Sequence, residues 1–456
     1  MKSAFQQERF QKVIVVSATD DMPPIKKVLL SLAKKAKGGD LPPRGGKYLT
    51  GKQALTYAKG VTGEVKARFV PNRSAFITSS SGTTVDGVVK GVVATNEATI
   101  SQLFMSESSD VQYYPGDKSL ASLPPTASTS LNCLFFLALY KGLTVVNDPR
   151  VSENDFYNQL LHDKPSIVIT TGSIWEAFFE RVEMELKRGK HLNFSYAKGW
   201  TVGGEGTDAQ KFKRWNEIIS DNKGKGIYSG YGQSELFSAV CVEKVDARYD
   251  YKNPKISVGI PYAGITVGVF DKSGNELPYN RRGELWVKSK SAFKCYYNKP
   301  ELTAKTLVDG WVHTGDLASI DENGFLYIYG RLSDCATTES GEKLHLFDIA
   351  EKIKAHPQID DALVLAKPDD PEKKRLLVHF TWNEPVSQEE KDAALLQIDT
   401  ALRAELPRDV TILGYAAHEG MLPYSPTTLK KDRNKMAAQK DGYLTVRDGN
   451  IVETEI

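Results

Sequence analysis

The stretch from Ile77 to Val92 limits the chain's possible folds more than any other. Within it, Ser79-Ser80-Ser81-Gly82-Thr83-Thr84-Val85-Asp86-Gly87 gathers hydroxyls and glycines, and a single lysine, Lys90, stands near the end. Hydroxyls and closely approaching backbone N–H groups are the chemistry that cradles a polyphosphate. Gly82 and Gly87 have P-loop separation, but Lys90 comes two residues late and no Ser or Thr follows it. The run continues into Val88-Val89-Lys90-Gly91-Val92-Val93-Ala94, a β-branched pattern that predicts a strand where a P-loop needs a helix. A phosphate loop feeding a strand belongs to a different architecture from the P-loop nucleotide hydrolases.

The chain has 456 residues, enough for two or three domains and at least one large core. Lys+Arg 59 against Asp+Glu 57 leaves a net charge of +2, so no strong field invites nucleic acid or a membrane surface. Apolar runs such as Leu134-Phe135-Phe136-Leu137-Ala138-Leu139 are too short to span a bilayer, and the start lacks a signal peptide's apolar core. Cys133, Cys241, Cys295 and Cys335 form neither a metal spacing nor a disulfide framework. The expectation is a reducing, cytoplasmic compartment.

Residues 12–16 read as a buried strand, and Ile25, Val28, Leu29, Leu32 and Ala36 have helical spacing. Residues 37–46 read as a loop. Residues 132–140 predict a buried helix, 143–146 a strand, a helix opens at Ser152, and Ser166–Thr170 is a strand. Ile174, Phe178 and Val182 mark one face of a helix over 174–187, and residues 200–204 end another strand. This alternation predicts a mostly parallel, helix-covered sheet. From about residue 256 short strands and turns replace it, including 265–270 and 283–287, which suggests a small β-rich subdomain. Residues 348–355 and 388–404 read as helices, the second opened by Ser387 with Glu390 three residues on, and 376–380 as a strand. The expected organisation is an α/β protein. Residues 1–333 form a large domain, and 334–456 a small, mobile α+β domain joined to it by a hinge.

Taken in order, the polar signatures resemble the acyl-adenylate-forming superfamily of acyl-CoA synthetases, adenylation domains and insect luciferases, over residues 75 to 435. The family's Ser-Gly-Thr-Thr-Gly-x-Pro-Lys-Gly is matched by Ser81-Gly82-Thr83-Thr84 and Gly87-Val88-Val89-Lys90-Gly91, with Val85-Asp86 inserted and Val89 in place of proline. Gly203-Gly204-Glu205-Gly206 is similar to the turn that lies against adenine. Tyr231-Gly232-Gln233-Ser234-Glu235 resembles Tyr-Gly-x-Thr-Glu, whose tyrosine packs on adenine, whose hydroxyl meets phosphate and whose glutamate holds Mg²⁺. Gly283–Val287 and Tyr296–Thr303 match a mainly structural stretch. His313-Thr314-Gly315-Asp316-Leu317 is the most specific match, and the resemblance implies that Asp316 accepts hydrogen bonds from both ribose hydroxyls. Gly330-Arg331-Leu332-Ser333-Asp334 resembles the motif whose arginine also meets the ribose and whose last residue is the hinge. In Leu422-Pro423-Tyr424-Ser425-Pro426-Thr427-Thr428-Leu429-Lys430-Lys431-Asp432-Arg433, the family's lysine bridges carboxylate and α-phosphate. Counting back from Asp432-Arg433 selects Lys430, and an extra residue after Pro423 keeps Lys431 in contention.

The resemblance implies an ATP- and Mg²⁺-dependent ligase. A carboxylic acid attacks the α-phosphorus of ATP, giving an acyl-adenylate and pyrophosphate, and a thiol, CoA above all, then displaces AMP. Lys430, Thr83, Ser234 and Glu235 would carry the first step, and Gly341 would lie on the loop beside the incoming thiol. Two alternatives stay open: a ligase that loads a carrier protein, and a non-catalytic nucleotide-binding protein of the same fold. Leu123-Pro124-Pro125-Thr126-Ala127-Ser128 puts alanine where many members carry a histidine or aromatic gate, and the aspartate that holds an α-amino group is missing. Both favour an acyl chain over an amino acid. Only 76 residues precede Ile77, fewer than the family's usual segment, so a homo-oligomer or a partner is expected to cover exposed sheet edge there.

Overall fold

The computed structural model describes residues 13–15, 23–25, 28–29, 32, 46, 48–60, 68–79, 90–109, 111–124, 126–147, 153–204, 206–243, 255–340, 343–383, 385–425 and 430–456. They fall into two compact units, Met1–Phe69 and Val70–Ile456. In the first, β1 (Val13–Val15) pairs in parallel with β2 (Tyr48–Thr50), and α1 (Gly51–Ala58) follows directly. Thr50 and Gln53 close a reciprocal capping box at its start, which satisfies backbone donors that a helix N-terminus leaves open.

In the second unit, β3 (Ser74–Ser79) and β4 (Gly91–Thr95) pair antiparallel on either side of the Ser/Thr/Gly run. β4 is the strand expected after the loop. Thr95 caps α2 (Asn96–Met105) by accepting from the Ala98 N–H. The central sheet has the order β10-β9-β8-β7-β5-β6. Its strands are β5 (Lys118–Leu120), β6 (Thr144–Val146), β7 (Ile167–Thr170), β8 (Gly199–Gly203), β9 (Ile227–Gln233) and β10 (Ser238–Glu243). All pair in parallel except β10, which is antiparallel at one edge. A π-helix (Ser130–Phe136) runs into α3 (Leu137–Lys141), and α4 (Glu153–Asp163), α5 (Gly172–Lys187) and α6 (Ala209–Asp221) complete the layer. Ile174, Phe178 and Val182 are buried, as their spacing predicts, and Trp175 stacks on Trp200 with centroids 5.3 Å apart. The helix expected to be buried over 132–140 departs from that reading. Its first half is wound as π-helix, and its last turn leaves Leu139 and Tyr140 exposed while Leu137 and Ala138 face the core.

The change of texture near residue 256 becomes an antiparallel sheet of β11 (Thr266–Phe270), β12 (Gly283–Lys288), β14 (Leu307–Val308), β15 (Trp311–Ile320) and β16 (Leu326–Arg331). The short β13 (Cys295–Tyr296) pairs instead with β4, and α7 (Pro300–Thr306) follows it. Beyond residue 334 come the hairpin β17 (Cys335–Thr337) and β18 (Lys343–His345) and the helix α8 (Leu346–Lys354). A five-stranded sheet follows, built from β19 (Ile359–Ala366), β20 (Arg375–Trp382), β21 (Thr411–His418), β22 (Tyr443–Arg447) and β23 (Asn450–Thr454). α9 (Gln388–Glu405) carries the expected Ser387–Glu390 capping box, and α10 (Arg433–Ala437) precedes β22. This region has its own core around Ile349, Ile353, Leu376, Val378, Phe380 and Leu395. Ion pairs tie it to α6, its N-cap and the turn before β12: Lys211 to Asp360 at 2.8 Å, Lys354 to Asp208 at 3.7 Å and Arg282 to Asp348 at 2.8 Å. Among the described residues no helix is long and apolar enough to cross a membrane.

Candidate active site

Four segments far apart in sequence meet at the C-terminal ends of β8 and β9. Gly203 lies beside Gly230 in the parallel register, so the turn at Gly204 and the segment from Tyr231 are immediate neighbours. In an open α/β sheet such strand ends are where ligands bind. The chain then makes a single 3₁₀ turn over Ser234–Leu236 and reverses into β10. The reversal is tight. Phe237 and Ser238 take φ values of 51° and 121°, and a Cβ on Gly232 would lie 1.8 Å from the Ser238 carbonyl oxygen. Only glycine allows that crossing.

Asp316 sits on β15 opposite Arg331 on β16, and its side chain is almost fully buried. The Tyr231 hydroxyl donates to Asp316 Oδ2 at 2.6 Å and Gln233 Nε2 to the same oxygen at 2.5 Å. Arg331 Nε lies 3.2 Å from Asp316 Oδ1. Burial pushes the Asp316 carboxyl above its usual range, opposed by Arg331, Tyr231 and Gln233. Burial, and then the Asp316 charge, lifts the Tyr231 phenol well above its ordinary value. The Thr314 backbone carbonyl accepts from Gln233 at 3.1 Å and Arg331 at 2.9 Å, so the corner is hydrogen-bonded on both sides.

Glu235 and Lys90 meet through one ring. The Tyr296 hydroxyl donates to Glu235 Oε1 at 2.7 Å, and Lys90 Nζ stands 5.2 Å from the centre of the same ring. Ser234 Oγ accepts from Ser128 Oγ at 3.3 Å. A lone carboxylate suits Mg²⁺, a hard ion that commonly takes one or two protein carboxylates and completes its shell with water and substrate phosphates. Glu235, fixed by Tyr296 beside Lys90, fits that role. Among the described residues no group of three or more His, Cys, Asp or Glu could hold a metal by itself.

The adjacent lysines part company. Lys430 reaches the turn at Gly204: a Cβ placed there would lie 3.1 Å from Lys430 Cε and 3.7 Å from Nζ. With φ of 86° the residue is glycine for conformational reasons as well. Lys431 instead pairs with Asp361 of β19 at 2.6 Å, and Asp334 pairs with Arg433 at 2.8 Å. Ser81, Gly82, Thr83, Thr84, Glu205 and Gly341 lie outside the described residues. Thr338, Glu339 and Lys343, on either side of position 341, line a cavity of about 640 Å³ together with Cys335, Lys373 and Lys374.

Two residues escaped the sequence reading. Gln233 occupies the variable position of its motif, where no residue type marks a role. Lys255 is only 9% exposed, with Nζ 3.9 Å from the centre of the Phe347 ring. A Cβ on Gly206 would come within 2.7 Å of that nitrogen. Burial pulls the Lys255 ammonium down to about 8, with Glu351 pulling the other way. Nothing beside it in sequence signals that environment.

Residues 3–297 match the family model described as AMP-binding enzyme. A long-chain-fatty-acid–CoA ligase of Yersinia pestis is 28% identical over 67% of this chain and 52% of its own. The 4-coumarate–CoA ligase 4 of Arabidopsis thaliana is 27% identical over the same shares, 67% and 52%. The chain thus spans about half the length of the curated relatives it matches. The ATP-bound structure of MatB from Rhodopseudomonas palustris superposes with a TM-score of 0.68 at 18% identity, over 93% of this chain and 78% of that one. That likeness is one of fold.

Proposed function

The chain belongs to the AMP-binding enzyme family, and from that premise we propose that it is an acid–thiol ligase. It activates a carboxylic acid with ATP to an acyl-adenylate, releases pyrophosphate, and passes the acyl group to CoA. The observation that carries the proposal is the convergence of the Gly204 turn, the Tyr231 segment, the Asp316–Arg331 pair and Lys430.

Each group has a physical task. Asp316, already supplied with donors by Tyr231 and Gln233, offers acceptors to ribose hydroxyls, while Arg331 opposes the burial that favours the neutral carboxyl. The Lys430 ammonium is a compact charge that lets two anions, the acid and the α-phosphate, approach each other. The nucleophile is the substrate's own carboxylate, so no side chain need form a covalent bond. Charge grows on the α-phosphoryl oxygens, where Lys430, Ser234 and the Thr83 hydroxyl would donate. Mg²⁺ held at Glu235 would neutralise phosphate charge.

Residues 334–456 would form the small mobile domain, with Asp334 as hinge, and the loop carrying Gly341 would face the thiol. Separate cores on either side of residue 334 support that division. Four free thiols are consistent with a reducing, cytoplasmic setting. The test is pyrophosphate release from ATP across a set of carboxylic acids, with and without CoA. Acid-dependent release, with thioester only when CoA is present, is expected. Release that needs no acid, or no release at all, rules the ligase out.

A further inference from the structure

A small cavity lies between α2, the π-helix, β8 and β10, the strand that directly follows the Tyr231–Phe237 segment. Its volume is about 30 Å³, and Gln102, Asn132, Cys133, Ile169, Ala239 and Tyr262 are among its lining residues. Gln102 and Asn132 are 2% and 1% exposed. Each spends its amide nitrogen on the backbone: Gln102 Nε2 donates to the Ala239 carbonyl at 2.6 Å and Asn132 Nδ2 to the Phe237 carbonyl at 2.9 Å. Those bonds settle which end of each amide is oxygen, since a flipped amide would set oxygen against oxygen. Gln102 Oε1 and Asn132 Oδ1 are then left buried with no partner. Holding the strained turn at Phe237 accounts for the Asn132 nitrogen. It leaves both oxygens unexplained, and an unpaired buried acceptor is costly.

Resting on the ligase reading above, we propose that this cavity is the distal end of the acyl site and selects a short acid bearing a hydroxyl. The adenylate-side residues Tyr231, Ser234 and Glu235 lie on the same segment whose carbonyls at Phe237 and Ala239 hold the two amides. The two unpaired groups are both acceptors, so the matching ligand group must donate, which excludes a second carboxylate or a ketone. None of the lining residues is acidic, so an ammonium would be buried without a counter-charge. A hydroxyl remains. Size excludes a long tail, because pockets for larger ligands run to roughly 300–1,000 Å³, ten times this volume or more. The π-helix that presents Asn132 is a rare winding found mainly at functional sites.

The experiment measures kcat/KM for pyrophosphate release with butanoate, 3-hydroxybutanoate, 4-hydroxybutanoate and hexadecanoate, for the wild type, Gln102→Leu and Asn132→Leu. At least one hydroxy acid should exceed butanoate by about 10-fold or more, since an acceptor left unpaired by the plain acid penalises it. Gln102→Leu or Asn132→Leu should reduce that ratio to about threefold or less, and the ratio is the readout because loss of the amide–carbonyl bond acts on both acids alike. The wild-type comparison stands even if a variant fails to fold. Preference for butanoate or hexadecanoate overturns the inference and leaves the ligase reading intact. So does an unchanged ratio in two folded variants, which would mean that the cavity holds only a structural water. No release with any acid removes both.

Discussion

The corner around Asp316 and the loop around Lys430, both assigned to one nucleotide in the proposed function, are built in opposite ways. Asp316 and Arg331 stand on paired strands, and Tyr231 and Gln233 reach them from a third. Every partner is held by a ladder of backbone hydrogen bonds, so this corner exists before any ligand arrives. Lys430 rides on a connection between β21 and α10, and reaches the turn at Gly204 from there. In the proposed mechanism, binding groups are thus built into the sheets, while the charge for chemistry is delivered. A group needed through the whole cycle gains from rigidity; one needed for a single step gains from being removable.

The sharpest way to break this comparison is Lys430→Ala. Loss of a preorganised charge at the α-phosphate should slow adenylate formation by roughly 10²–10³-fold. Conversion of a supplied acyl-adenylate to thioester should proceed nearly as in the wild type, and Lys431→Ala should impair neither step comparably. Exchange of the two phenotypes in single-turnover assays would reverse the assignment made from the Gly204 contact. Next in size is Asp316→Ala, which leaves Tyr231, Gln233 and Arg331 facing a hole. Affinity for AMP and ATP alike should fall by about 10- to 100-fold in calorimetry. An effect confined to ATP would mean that the corner is not a permanent fixture.

A third test uses acid. His379 is fully buried on β20, with Nδ1 3.0 Å from His418 Nε2 and Nε2 3.1 Å from the Tyr443 hydroxyl. His418 ends β21 just before the Lys430 connection, and Tyr443 also reaches the Met436 carbonyl just after it. Burial, and then His418, holds the His379 imidazole down at about 4. His418 is also lowered by burial, with Lys435 adding to the effect. The folded chain therefore keeps His379 neutral where an unfolded chain, titrating near 6.5, takes a proton. Its contribution to stability is complete above pH 6.5 and is lost as pH falls towards 4. Between pH 7 and pH 5 the β19–β23 sheet should lose about 2 kcal/mol from this group, read from urea midpoints. Adenylate formation should weaken with it, and AMP binding at the Asp316 corner should not. Loss of both together would show that the two regions share one fate.

The smallest effect belongs to the docking contacts. Lys211 lies 2.8 Å from Asp360 and 3.5 Å from Glu176, and those carboxylates outweigh the burial that opposes its charge. Lys211→Met should lower adenylation kcat/KM about two- to fivefold with AMP affinity unchanged, in keeping with the modest worth of a partly exposed ion pair. Unaltered kinetics would indicate that the remaining contacts hold the region in place.

Much of the fold was legible because it is written in short-range patterns. The stripe Ile174, Phe178, Val182, the Ser387–Glu390 capping box and the strand after the Ser/Thr/Gly run each follow from local periodicity or local hydrogen bonding. Asp316 and Arg331 stood out through motif resemblance, since both sit in short, ordered signatures. Gln102, Asn132, Gln233 and Lys255 were not. Their meaning comes from what folding sets against them: a carbonyl 137 positions away for Gln102, a carboxylate 83 positions away for Gln233, an aromatic face for Lys255. The choice between Lys430 and Lys431 was likewise beyond counting, because it depends on which one meets Asp361 and which meets a turn on β8.

The crossing of Gly232 beneath the Ser238 carbonyl has a consequence for inheritance. Every missense change at that codon adds a Cβ, and every Cβ begins 1.8 Å from a backbone atom that cannot step aside without unmaking the turn. Size, charge and polarity of the newcomer are therefore irrelevant, and conservative and radical alleles should be equally null. In a population of variants that codon should behave like a switch with two positions, glycine or nothing.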